Sequence, residues 1–123
     1  MSANYRDLLV WQKGVDLVTD VYRDTGPFPR VEMFGLTSQM RRAAVSIPNN
    51  IAEGQGRLTK GEFQQFLGNA RGSLYELETQ IEIAARLKFL PRDRAEGLLG
   101  KSTEVSRMLN GLISSIARSK LET

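Results

Sequence analysis

The stretch TKGEFQQFLGNARGSLYELETQIEIAAR, residues 59–86, carries the clearest periodicity in the chain. Phe63, Leu67, Ala70, Leu74, Leu77, Ile81 and Ala84 follow one another in alternating steps of four and three. That spacing is the seam of helices packed nearly parallel in a bundle. Thr59 with Glu62 has the form of a capping box, and Leu58 with Phe63 that of a hydrophobic staple. A helix is therefore predicted over about residues 60–88, roughly 42 Å long at 1.5 Å per residue.

Upstream, residues 34–56 read FGLTSQMRRAAVSIPNNIAEGQG. Leu36, Met40, Ala44, Ile47 and Ile51 keep one helical stripe across Pro48, so a single helix bent at the proline is predicted over about 34–56. Pro48 has no N–H for the carbonyl of Ala44, a loss of about 3 kcal/mol in a helix interior. Ser46, Asn49, Asn50 or a water is expected to take up that carbonyl, and Gly54-Gln55-Gly56 to end the helix. Before it, Leu8, Trp11, Val15, Val18 and Tyr22 form a main stripe, with Val10, Leu17 and Val21 beside it. This first helix is predicted over about 6–25 and stopped by Gly26-Pro27-Phe28-Pro29, with Phe28 plugging the core. Downstream, Asp93 with Glu96 is read as the cap of a fourth helix over about 92–117. Its stripe is Leu98, Ser102, Val105, Leu109, Leu112 and Ile116, its glycines weaken it, and the tail SKLET is expected to fray. Four apolar stripes on short connections, without strand-like alternation, predict an all-α antiparallel up-down four-helix bundle forming one domain over 1–123.

The composition excludes more than it selects. The 123 residues contain neither cysteine nor histidine, which removes disulfides, thiolate chemistry and the commonest general base and metal ligand. A cytoplasmic protein is expected, since the N-terminal residues lack a signal-peptide pattern and no apolar run approaches a membrane span. Lysine and arginine number 17 against 14 aspartates and glutamates, a net +3. The excess lies in residues 30–60, with five basic against two acidic side chains, and in residues 92–122, with six against four. Residues 6–24 and 62–90 each stand at three against four.

The second helix has an unusual back. With Met40 at 0° and 100° per residue, Arg42, Val45, Asn49, Ala52, Glu53 and Gly56 fall between about 120° and 220°. Small and amide side chains replace the lysines and glutamates of a solvated face, so this side is read as an oligomer interface, with Arg42 and Glu53 as a candidate ion pair across it. Arg41 points about 100° away from Arg42. Arg57 and Lys60, beside the turn before the third helix, are the better exposed nucleic-acid candidates, and Arg41 is the third. Gly54-x-Gly56-x-x-x-Lys60 lacks both the spacing and the preceding strand of a phosphate loop. Glu76, Glu78 and Glu82 do not form a metal-binding set with histidine, and no S-x-x-K motif is present. No catalytic residue, metal site or cofactor is expected.

The segments RDLLVWQKGVDLV, FGLTSQMRRAAVSIPNNIAEGQGR and EFQQFLGNARGSLYELETQ resemble the bacterial four-helix bundle proteins encoded in intervening sequences of 23S ribosomal RNA genes. The resemblance covers about residues 5–117, and RRAAVSIPNNIAEG is its most specific part. The same fold is shared by the accessory variability determinant of diversity-generating retroelements. The resemblance implies an up-down bundle assembling as a ring-like homopentamer. For the retroelement branch it also implies a strongly basic surface that binds nucleic acid and a partner reverse transcriptase. The modest +3, without a dense basic stripe, favours the intervening-sequence branch. The leading expectation is a non-enzymatic homo-oligomer that binds RNA weakly. The alternatives are a retroelement accessory protein and an assembly protein with no nucleic-acid role.

Overall fold

The computed structural model describes residues 4–122. Four helices, α1 (Leu9–Thr25), α2 (Leu36–Gln55), α3 (Lys60–Arg86) and α4 (Arg92–Glu122), are accompanied by two short 3-10 turns at Tyr5–Asp7 and Arg30–Glu32. Consecutive helices pack antiparallel, and α1 closes the ring against α4. Among the described residues the diagonal pairs make no close backbone contact.

The α3 seam is as predicted: Leu67, Ala70, Leu74, Leu77, Ile81 and Ala84 are fully buried, and Phe63 lies at the rim. At its start the Thr59 hydroxyl accepts the Glu62 N–H at 3.1 Å and donates to the Glu62 carboxylate at 3.0 Å. The predicted staple does not form, because Leu58 is 98% exposed. Phe63 turns instead toward Gly54, where an added Cβ would stand 2.9 Å from both Phe63 and Phe66. Gly54 is thus a packing position inside the last turn of α2 rather than part of its stop. The end of α3 comes two residues earlier than predicted. Lys88 adopts φ 67°, its N–H bonds the Ala85 carbonyl at 3.1 Å, and the Phe89 N–H bonds the Ala84 carbonyl at 3.0 Å. This is a Schellman closure with lysine at the left-handed position where glycine is usual. It delivers the Phe89 ring to Phe28, 5.8 Å between centroids, so Phe28 plugs the core as expected.

α2 starts at Leu36, whose N–H is capped at 3.1 Å by the Glu32 carboxylate, and so leaves Phe34 outside the helix. Met40, Ala44, Ile47 and Ile51 are fully buried, as predicted. The helix runs through the buried Pro48 as one element. Asn50 Nδ2 turns back to the Ser46 carbonyl at 2.8 Å and hydroxyl at 2.9 Å, not to the Ala44 carbonyl that Pro48 frees. The Ser46 hydroxyl meets that of Ser73 at 2.8 Å, fixing the register of α2 against α3.

The first helix departs most from expectation. The Asn4 side chain accepts the Arg6 N–H at 2.9 Å and closes a 3-10 turn, Leu8 is extended, and α1 begins only at Leu9. The buried line is Val10, Gly14, Leu17 and Val21, whereas Tyr22 of the predicted main stripe is 45% exposed. The helix is turned because Gly14 brings it close to α2: a Cβ there would lie 3.6 Å from Pro48 Cβ. A glycine carries no hydrophobic signal, so the pattern alone misplaces the axis. Further along, Asp20 and Asp24 are buried against α4, where Arg23 bonds both, Arg94 reaches Asp24 at 3.4 Å, and Lys101 bonds Asp20.

In α4, Leu98, Ser102, Val105, Leu109 and Ile116 are buried, and the Ser102 hydroxyl donates to the Glu78 carboxylate. Asp93 lies within the first turn, not at the cap, since the Ala95 N–H already bonds the Pro91 carbonyl at 3.0 Å. The tail expected to fray is helical to Glu122. Lys60 Nζ holds it from the α2–α3 turn, 2.5 Å from the Ser119 hydroxyl.

Candidate functional site

The outer face of α2 forms one wall of an open groove of about 630 Å³ along the α1–α2 side of the bundle. Arg42, Val45, Asn49 and Glu53, all predicted for the interface, line it together, and the half-buried Ala52 sits just beyond. One end of the groove is an apolar corner. Phe34 is 93% exposed, Val31 84% and Met33 54%, because the 3-10 turn and the capped start of α2 hold them outside the core.

Arg41 bridges the two helices of this side. Its Nε donates to Thr25 Oγ1 at 2.9 Å, one Nη to the Tyr22 carbonyl at 3.3 Å, and the guanidinium stacks 4.5 Å over the Tyr22 ring. It therefore satisfies the C-terminal end of α1, where carbonyls lack helical partners and a cation is favoured. Arg42 is exposed and, among the described residues, has no carboxylate partner. Glu53, its candidate partner, pairs within the subunit with Arg57 at 3.8 Å.

Arg57 and Lys60 are exposed at the opposite end of α2 from Arg41, about 24 Å away by helical rise. The Arg57 guanidinium stacks 4.5 Å over Phe66, and Lys60 bonds Ser119. Lys120 reaches Gln64 at 3.2 Å beside them, so this end of the bundle gathers cations from the α2–α3 turn and from α4. The three nucleic-acid candidates thus divide into one pair and one distant arginine.

A second unusual face was not found by sequence reasoning. On α3, Gly68, Gly72, Tyr75, Thr79 and Ile83 fall between about 100° and 180° from Leu74, pointing out of the bundle. Tyr75 is 48% exposed and Ile83 44%, and with Glu78, Glu82 and Arg86 they line an open groove of about 500 Å³. A Cβ at Gly68 or Gly72 would meet nothing within 4 Å. The available signal was the small-xxx-small spacing outside the seam, which a search for the buried period passes over. Beside this groove Glu82 accepts from Arg86 and Arg92, each at 3.0 Å. The hydrogen bond from Arg92, and after it that from Arg86, holds the Glu82 carboxyl below its ordinary value.

Among the described residues no cluster of aspartate or glutamate is arranged to hold a metal ion, and no helix is long and apolar enough to cross a membrane. A solved protein described as of unknown function, from the S23 ribosomal protein family of Bacteroides thetaiotaomicron, shares the fold with a TM-score of 0.80. The two are 22% identical over 86% of this chain and 96% of the other. No curated protein matches the chain. Residues 6–111, which span all of the first three helices and most of the fourth, match the model of the 23S rRNA-intervening sequence protein family, and the chain belongs to that family.

Proposed function

We propose that this chain is a non-catalytic, cytoplasmic assembly unit: a homo-oligomer, five subunits to the particle, that joins copies through the outer face of α2 and binds RNA weakly through Arg57 and Lys60, Arg41 being held within the subunit by Thr25 and Tyr22. The observation that supports it best is the apolar corner of Val31, Met33 and Phe34, continuous with a helix face poor in lysine and glutamate. Monomers rarely leave three adjacent large apolar side chains this open unless a partner covers them. Met33 and Phe34 share one groove with Val45 and an unpaired Arg42, which isolated solvated residues would not do.

Light scattering at micromolar concentration tests the assembly, with about five subunits per particle expected and a monomer overturning it. Filter binding of a structured RNA tests the second part. Two phosphate contacts predict an affinity loss of roughly 7- to 12-fold between about 50 and 200 mM salt. Arg57→Ala with Lys60→Ala should weaken binding further; affinity indifferent to both salt and this double variant would leave an assembly protein without a nucleic-acid role.

A further inference from the structure

We propose that α4 is a strap fastened by charge, which opens as one unit and uncovers the apolar sides of α1 and α3 when salt screens its ion pairs.

The helices meet in two kinds of seam. α2 sinks between α1 and α3 through Ala43, Ala44, Ile47 and Ile51, all buried, and hydrogen-bonds those helices through Arg41 and Ser46. α4 is joined by polar groups on both sides. Toward α1, Lys101 bonds Asp20, Arg94 reaches Asp24 at 3.4 Å, and Glu104 meets Lys13 at 3.7 Å. Toward α3, Arg92 bonds Glu82 at 3.0 Å and Asn110 accepts from Arg71 at 3.0 Å. The Ser102 hydroxyl, fully buried in the stripe between Leu98 and Val105, bonds Glu78. A serine at that place interrupts the apolar line that α3 carries unbroken from Leu67 to Ala84.

The grip of these pairs is shared. Arg23 bonds both Asp20 and Asp24 at 3.0 Å from within α1, and Arg86 bonds Glu82 at 3.0 Å from within α3. α4 therefore supplies a second cation to carboxylates that already hold one of their own helix. Removing the only partner of a buried charge is strongly destabilising, whereas here release of α4 leaves none of the three carboxylates unpaired. Lys101, Arg94 and Arg92 also stand about half in solvent, where salt reaches them. The apolar contacts of α2 with α3 carry no charge to screen.

The pivot lies at the start of α4. Leu90 is buried and the Phe89 ring packs on Phe28, so the connection stays anchored while the helix beyond Pro91 lifts. Gly97 and Gly100, each open to solvent on the Cβ side, lower the intrinsic stability of the released helix further.

Native-state amide exchange of the isotopically labelled chain tests this at about 0.02 and 0.5 M sodium chloride, between which the Debye length falls from about 20 to about 4 Å. Amides from Leu98 to Leu109, the buried middle of α4, should exchange faster than those of α2 and α3 at both concentrations. Their exchange should quicken about tenfold at the higher salt, the sum of a few weak ion pairs, while amides at Ala44 and Leu74 change by less than about twofold. Exchange of α4 only together with global unfolding, or an equal salt response in all helices, would overturn the proposal. Asp20→Asn with Asp24→Asn removes the charges that α4 grips and keeps their shape. In that variant α4 should exchange at low salt as the unmodified chain does at high salt, with most of the salt response gone. Lys101→Gln with Arg94→Gln alters exposed side chains alone and should give the same result. A full salt response in either folded variant would show that these pairs do not fasten the helix, and would also overturn the proposal.

Discussion

Lys88 holds a backbone conformation that ordinary side chains avoid, at φ 67°. The left-handed region costs a non-glycine residue about 1 kcal/mol, so Lys88→Gly should raise unfolding stability by about that amount, measured by urea titration. Glycines elsewhere divide by what surrounds them. Gly54→Ala would drive a Cβ to 2.9 Å from two phenylalanines of α3, and overpacking of this kind costs about 1–3 kcal/mol. Gly100→Ala meets nothing within 4 Å and should instead stabilise by up to about 1 kcal/mol. Opposite signs for two identical substitutions separate packing from propensity. None of this was legible in the sequence, where Gly54 read as a helix stop and Lys88 as part of a helix.

At the scale of elements, α1 is joined to α4 largely by charge. Asp20 keeps only 10% of its side chain exposed, while its partners Arg23 and Lys101 stay about half in solvent. Lys101→Ala leaves the carboxylate buried with Arg23 alone. The expected loss is about 1–3 kcal/mol by chemical denaturation, below that of a fully buried pair because the cations are screened. Glu82 ties α3 to α4 in a more exposed setting. Its folded carboxyl is held below the ordinary value by Arg92 and then Arg86, so its contribution is present at neutral pH. That contribution declines as pH falls below the unfolded value and is lost as pH passes through the folded one. Glu82→Gln should flatten this acidic part of the stability–pH curve. Pro48→Ala removes ring carbons that pack beside Gly14, and should loosen that contact, visible as faster amide exchange in α1.

For the molecule as a whole, the closed ring of four helices follows from stripes that could be read residue by residue. The buried seam of α3 and the cores of α2 and α4 lie where the spacing of their apolar residues placed them, because a helix that must bury one side has little choice about which. The α2 side of the candidate site was legible for the same reason in reverse, as a surface lacking the charges water favours. The outward face of α3 was not, since glycine, threonine and a single tyrosine carry little hydrophobic weight until their outward direction is known.

Helix number, order, antiparallel connection and most of the core were determined by the sequence alone, through local periodicity and the turn chemistry of proline and glycine. Tertiary structure decided the rotation of α1, the internal use of Arg41, the burial of Asp20 and Asp24 and the helical order of the C-terminal residues. Each depends on a contact between residues far apart in the chain: Gly14 with Pro48, Arg41 with Thr25, Asp20 with Lys101, Lys60 with Ser119. Periodicity reports which side of a helix avoids water. It is silent on which distant group will be waiting there.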